Sequence, residues 1–280
     1  MPAAPARLAL EDNFDDVLNK AQRGLSFTDE ALAAKAGIPV PALQALKKGQ
    51  VDDAALAKVA PALKLHGPSL LELAHKAWYP QVPNLAGLAQ LSTAWKDFRV
   101  NAFVVWHPVT KQAAVFDTGT EPGPILAVVK EHKLRVELLL ITHTHSDHVA
   151  CYDELRAKLG QPRGYACGRG TLAGAEPIDA GTTLSLGALN IEARRTSGHA
   201  PCGLTYVVRG LAQPLAVVGD ALFACSMGGA RSTEAYAEAL QTDRAQIFSL
   251  PDDTVICPGH GPRTTVAEEK AHNPFFPELK

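Results

Sequence analysis

The run LLLITHTHSDHVACYDEL (138–155) sets three histidines and a carboxylate, His143, His145, Asp147 and His148, within six positions. Residues 138–141 precede them without a polar break, as in a strand buried on both faces. Beyond His148 the apolar spacing becomes that of a helix. Side chains delivered by a loop at the end of a buried strand can converge on one point, because the strand holds the loop rigid.

The same order recurs downstream. His199 follows IEARRTSG, Asp220 ends LAVVGD and His260 follows TVICPG, each on the C-terminal side of an apolar run. Strands are expected at 101–107, 113–119, 136–142, 189–196, 204–210, 215–220 and 254–259, with helices at 123–133, 147–160 and 232–250. Strands in bunches with helices between and after them predict an α/β layered fold with two sheets and outer helices. Five imidazoles and two carboxylates suit borderline cations such as Zn²⁺, and also Fe or Mn, better than Ca²⁺ or Mg²⁺. Seven such groups exceed what one tetrahedral ion needs. Gly198, Gly219, Gly259 and Gly261 flank these groups, where a missing Cβ allows close approach.

H-x-H-x-D-H followed by G-H, G-D and G-H-G resembles the metallo-β-lactamase fold superfamily of metallohydrolases, over residues 85–280. The resemblance implies an αββα four-layer sandwich and two divalent metal ions, zinc first, with iron or manganese compatible. On the family's pattern His143, His145 and His199 hold one ion, Asp147, His148 and His260 hold the other, and Asp220 bridges. A bridging hydroxide would attack a carbonyl, with Asp147 as the catalytic residue that orients it and takes part in moving its proton. Asp117 in FDTG would order the metal-binding loop rather than bind metal. His107, His132 and His272 have no such company and are read as structural or solvent-exposed.

Within the superfamily SGHAPCG, GDALF and CPGHGPRTTVAEEKAHNPFF look most like the glyoxalase II and thioesterase branch. That resemblance implies a small-molecule ester or thioester substrate, in the manner of a hydroxyacylglutathione hydrolase. Ala200, Cys202 and Gly203 depart from the branch's usual G-H-T-x-G-S, while Phe223 stands where the lactonase branch has tyrosine. Asp220 counts against antibiotic hydrolysis, since true β-lactamases of this fold generally lack the bridging carboxylate. Persulfide dioxygenases resemble the same scaffold and use a single Fe held by the equivalents of His143, His199 and Asp220, which makes them the alternative in another reaction class.

Residues 1–80 differ in texture, with helical spacing throughout 11–78, Thr28 and Asp52 at N-cap positions and Gly37 and Gly49 at C-cap positions. They form an expected all-α module, joined near YPQVPNL (79–85) to a catalytic domain at 81–280. LSFTDEALAAKAGIPVPALQALKKGQ resembles the helix-turn-helix of the repressor-like family, implying as a further alternative a metabolite-sensing DNA-binding regulator. Nine Lys or Arg against nine Asp or Glu give this segment no net charge, whereas a DNA-binding module normally shows a basic face, so nucleic acid is not the expected partner. Packing on the catalytic domain, or between subunits of a homo-oligomer, is the expected role. The net charge of −2 over 280 residues favours neither nucleic acid nor an anionic membrane. Five cysteines, odd in number, widely spaced and without a C-x-x-C pair, predict neither a disulfide framework nor a thiolate zinc site. With no secretory leader or long apolar run, the expectation is a cytoplasmic protein in a reducing compartment.

Overall fold

Leu138 and Leu140 point into one apolar core while Leu139 and Ile141 point into another, which is why no polar residue interrupts this run. In the computed structural model, which describes residues 7–82, 84–168 and 171–280, two sheets separate three cores. Five helices come first: α1 (Phe14–Gly24), α2 (Asp29–Ala36), α3 (Val40–Leu46), α4 (Asp53–Ala62) and α5 (Gly67–Ala74). There follow β1 (Leu88–Trp95), β2 (Phe98–Trp106), β3 (Gln112–Phe116), α6 (Gly123–His132), β4 (Arg135–Leu140), α7 (Ser146–Val149), α8 (Tyr152–Lys158), β5 (Arg163–Cys167) and β6 (Glu176–Ile178). The second half comprises β7 (Thr183–Leu186), β8 (Leu189–Arg195), β9 (Leu204–Arg209), β10 (Leu215–Gly219), β11 (Leu222–Phe223), β12 (Ser226–Met227), α9 (Thr233–Gln246), β13 (Val255–Pro258), β14 (Thr264–Thr265) and α10 (Val266–His272).

The first sheet runs β1-β2-β3-β4-β5-β6 and the second β14-β13-β10-β9-β8-β7, each six-stranded. Phe103, Phe116, Leu140, Tyr206, Val208, Val217 and Cys257 fill the space between them. Ile125 of α6 and Tyr152 and Leu155 of α8 cover the outer face of the first sheet. Val207, Ala216, Val218 and Ile256 line the outer face of the second, beneath α9 and the N-terminal helices. The result is the predicted four-layer αββα sandwich. Val17, Leu18, Leu32, Leu43, Leu56 and Leu70 of the helical segment are buried in the same core as that outer face. Each such side chain contributes about 1.5–3 kcal/mol by leaving water.

Thr28 and Asp52 cap α2 and α4 by accepting from Ala31 N (3.2 Å) and Ala55 N (3.0 Å), and Gly37 closes α2 at φ +65. Gly49 is not the C-cap of α3; that position is Lys47, and Gly49 lies two residues beyond, at φ +80. The helix expected over 147–160 is broken into α7 and α8. The His148 carbonyl accepts from Thr118 N (2.8 Å) and Thr118 Oγ1 (3.0 Å), so the helical ladder stops there and restarts at Tyr152. β1 and β5–β7, whose apolar residues are fewer or only half-buried, were not legible as strands.

The expectation of unpaired cysteines is overturned: Cys167 and Cys202 form a disulfide, Cα to Cα 5.8 Å, while Cys151, Cys225 and Cys257 are free and buried. Spacing could not show this, because the partners come from the end of β5 and the loop before β9, in different sheets. With one pair formed, the cysteines no longer argue for a reducing compartment. Residue 83 of the expected linker and residues 1–6 of the N-terminus lie outside the described residues. Among the described residues no helix is long and apolar enough to cross a membrane.

Candidate metal centre

Parallel pairing of β3 with β4 places the Asp117 corner beside the loop that leaves β4. The buried Asp117 carboxylate accepts from Thr142 N, Thr142 Oγ1 and His148 Nδ1, each at 2.8 Å. These three bonds set the course of the HTHSDH loop, with His145 at the N-cap of α7 and Asp147 and His148 on its single turn. Asp117 thus orders the loop from behind, as expected for it.

His199 enters from the loop after β8, Asp220 from the end of β10 and His260 from the loop after β13. All seven expected residues are brought together. Donor atoms of His143, His145, His199 and Asp220 lie within 4.8 Å of one another, and so do those of Asp147, His148 and His260. The Asp220 carboxylate faces both groups: Oδ2 is 3.4 Å from His199 Nε2 and 3.3 Å from His260 Nε2, and Oδ1 is 3.3 Å from His148 Nε2. Asp147 Oδ2 lies 3.4 Å from His260 Nε2 and 3.5 Å from His148 Nε2.

The imidazoles are oriented from outside. His148 Nδ1 donates to Asp117, His199 Nδ1 to the Gly229 carbonyl (2.9 Å) and His260 Nδ1 to the Arg99 carbonyl (2.6 Å). Thr142 Oγ1, which donates to Asp117, is 3.1 Å from His143 Nδ1 and accepts from it. In each ring this turns Nε2 toward the centre, the orientation a metal ligand requires. His145 presents Nδ1 instead, 3.0 Å from Nε2 of both His143 and His199. Glycine is required at 259, where a Cβ would run into the Asp220 carboxylate and the His148 ring.

Two observations fit this donor set to divalent cations. His148 Nε2 and Asp220 Oδ1 are buried and 3.3 Å apart, yet neither makes a hydrogen bond. Buried polar atoms without partners are costly unless something else satisfies them. The electrostatics agree. Burial opposes charge on His148, but the Asp220 and Asp117 carboxylates outweigh it and push the imidazole up to about 10. Burial opposes His260 likewise, and Asp220 with Asp147 pushes it up to about 11. Burial would raise the Asp220 carboxyl, but His148 and His260 hold it well below the usual range. His143, His145 and His199, where burial dominates, are all lowered and stay neutral, as ligands must. The carboxylates thus favour positive charge beside His148 and His260, while the other three imidazoles are kept neutral.

Several contributors were not foreseen. Asn101, buried in β2, donates from Nδ2 to the Pro258 and Gly261 carbonyls (2.9 Å each), and its backbone N–H donates to the Gly259 carbonyl (2.7 Å), fixing the His260 loop. A polar side chain inside an apolar strand run was the signal for it. Phe98 and Phe223 set their rings against His260 at 5.3 and 5.6 Å and shield it from water. The Glu11 carboxyl, in the field of His260 and Asp220, is raised chiefly by burial. His272, stacked on Trp78 and bonded to Glu72, and His132, stacked on Trp106, stand apart from the centre.

Residues 95–166 match the family model for the metallo-beta-lactamase superfamily. The chain is 31% identical over 186 residues to a probable metallo-hydrolase, YqgX, of Bacillus subtilis, covering 59% of this chain and 87% of that one. It is 28% identical over 204 residues to the hydroxyacylglutathione hydrolase GloC of Haemophilus influenzae, covering 64% and 93%. In fold it is similar to ETHE1 from Myxococcus xanthus, with a TM-score of 0.59 at 24% identity, over 68% of this chain and 85% of that one. With the αββα sandwich, the convergent histidines and aspartates and these relatives together, the chain belongs to the metallo-β-lactamase superfamily of metal-dependent hydrolases.

Proposed function

We propose that the protein is a dinuclear metal-dependent hydrolase of a small ester or thioester, similar in activity to the hydroxyacylglutathione hydrolases. The observation that carries this reading is the Asp220 carboxylate, whose oxygens lie 3.3–3.4 Å from ligand nitrogens of both groups. His143, His145 and His199 would hold one ion, Asp147, His148 and His260 the other, with Asp220 between and zinc, iron or manganese as the metal. Residues 81–280 are read as the catalytic domain and residues 1–80 as a helical module.

Ions held there would lower the pKa of a water from about 15.7 toward about 7 and polarise the substrate carbonyl. The chain's own groups do the rest. Burial works against ionisation of Asp147, but its bond to His260 and the charge of His148 keep its pKa below the ordinary value, so it is ionised at neutral pH. Oδ2 of Asp147 can therefore orient an attacking water and accept its proton. Outward-turned Nδ1 atoms keep four imidazoles from rotating as charge develops. Phe98 and Phe223 keep bulk solvent from the His260 side. A thiolate leaves without a strong general acid, and among the described residues no serine or cysteine nucleophile stands in the centre.

Elemental analysis of metal-replete full-length protein, together with hydrolysis of an activated thioester such as a thiophenyl acetate, tests the proposal. Two ions per chain and metal-dependent turnover are expected. One iron per chain with oxygen uptake on a persulfide, and no thioester hydrolysis, would replace it with the dioxygenase reading.

A further inference from the structure

We propose that Lys20 and Asp12, from the helical segment, are positioning residues of the metal centre: their largely buried ion pair pins the 226–229 loop against His199, and the Lys20 ammonium steadies the Phe223 ring beside His260. The inference rests on the dinuclear reading above. Lys20 Nζ pairs with Asp12 Oδ2 and donates to the Met227 carbonyl at 2.9 Å; the two side chains are only 15% and 9% exposed. Asp12 Oδ2 also accepts from Ser226 Oγ at 2.5 Å. Two residues past Met227, the Gly229 carbonyl accepts the Nδ1 proton of His199 at 2.9 Å. The same ammonium lies 5.1 Å from the centroid of Phe223, whose ring stands edge-on to His260. One cation thus braces contacts to a histidine of each group.

The loop needs such a brace. Gly228 and Gly229 are the least restrained kind of backbone, and the carbonyl that selects the His199 tautomer belongs to the second of them. Gly228 lies so close to the His199 ring and the Asp220 carbonyl that a Cβ would collide with both, so a small displacement of the loop reaches the ligands directly. Docking of the helical segment does not call for an ion pair. Val17, Leu18 and Ala21 of α1 are already buried in the apolar core shared with the second sheet. Burying two charges costs desolvation that their attraction barely repays, so the pair is better explained by the place it holds than by stability.

The experiment uses the full chain carrying Asp12→Asn with Lys20→Met, which leaves no unpaired buried charge, keeps an acceptor for Ser226 Oγ and keeps an unbranched stem near Phe223. Zn²⁺ affinity by competition with a chromophoric chelator, the visible spectrum of the Co²⁺ form and the unfolding midpoint of the metal-free protein are compared with wild type. About tenfold weaker binding of at least one ion, with a shifted Co²⁺ spectrum, is expected. Ser226→Ala, which cuts one hydrogen bond and spares the ion pair, should weaken binding in the same direction by about threefold. It decides the matter if the double variant does not fold. Wild-type affinity and spectrum in the variants, even with a lower unfolding midpoint, would make the pair a mere staple and overturn the inference. Fewer than two ions on wild type would instead sink the dinuclear reading beneath it.

Discussion

Asp117→Asn tests how the metal-binding loop is built. The native carboxylate serves three donors, Thr142 N, Thr142 Oγ1 and His148 Nδ1, all at 2.8 Å and all buried. Asparagine tolerates the positive φ of +54 at this position, so the backbone is not the perturbation. Its amide has one oxygen, and neither orientation suits all three donors. With the oxygen toward Thr142 N, the amide N–H groups face His148, which must then accept at Nδ1 and carry its proton on Nε2, toward the centre. With the oxygen toward His148, the amide opposes Thr142 N and leaves a buried donor unpaired, costing about 1–3 kcal/mol of stability. The first arrangement spoils a ligand and the second loosens the loop that carries three more. Loss of such an outer partner weakens metal binding about 10- to 100-fold, or about 1.4–2.7 kcal/mol. Chelator competition on the full chain measures this directly. The ion held by Asp147, His148 and His260 should be the one lost first. Unchanged affinity for both ions would refute the claim that Asp117 orders the centre through His148 and Thr142.

The two carboxylates inside the centre should separate by role: Asp220→Ala should lose metal and activity together, whereas Asp147→Asn should keep most of its metal while the rate falls about 10²- to 10⁴-fold. Steady-state rates at saturating metal decide this, and full activity in Asp147→Asn with both ions bound would remove Asp147 from the proton's path. Burial pushes the Glu269 carboxyl, from an ordinary 4.5, up to about 7, despite bonds from Cys225 N, Thr264 Oγ1 and Asn273 Nδ2. The folded state then binds more protons than the unfolded one between those values, so stability is fully present below about pH 4.5 and falls as pH rises toward 7, by about 3 kcal/mol from this group. Urea unfolding of metal-free protein at several pH values should show that slope in wild type and lack it in Glu269→Gln; parallel curves would contradict the assignment. For the cysteines, iodoacetamide should label none of the five in native air-oxidised protein and two, Cys167 and Cys202, after mild thiol reduction. Peptide mapping by mass spectrometry reads this out, and labelling of either before reduction would mean the pair is not formed.

Legibility followed the range of the interactions. The HTHSDH loop, the strands that end in Asp220 and before His260, and the caps at Thr28, Gly37 and Asp52 are set by residues within a few positions of one another, so period, polarity and spacing displayed them directly. Asp117 could be placed behind the loop only through the family resemblance; its own position showed no more than a carboxylate at the end of a strand near the site. β1, β6 and β7 lay hidden because a half-buried edge strand need not be apolar on both faces, and β5, an interior strand, because RGYAC has few apolar residues. The break between α7 and α8 escaped notice because the competitor for the His148 carbonyl is Thr118, thirty residues earlier.

What the sequence determined by itself was the kind of chemistry: imidazoles and carboxylates in the right number, each delivered at the end of a rigid apolar run. Which atoms share a centre was decided only by tertiary structure. The register of β3 on β4 sets Asp117 against His148, and β10 beside β13 brings Asp220 to His260. The packing of α1 against α9, in the core shared with the second sheet, brings Lys20 to a loop 207 residues away. Cys167 and Cys202 meet for the same reason, across two sheets. Contacts between distant segments depend on how whole layers stack and on the apolar surface they bury together, and no short stretch of residues carries that information.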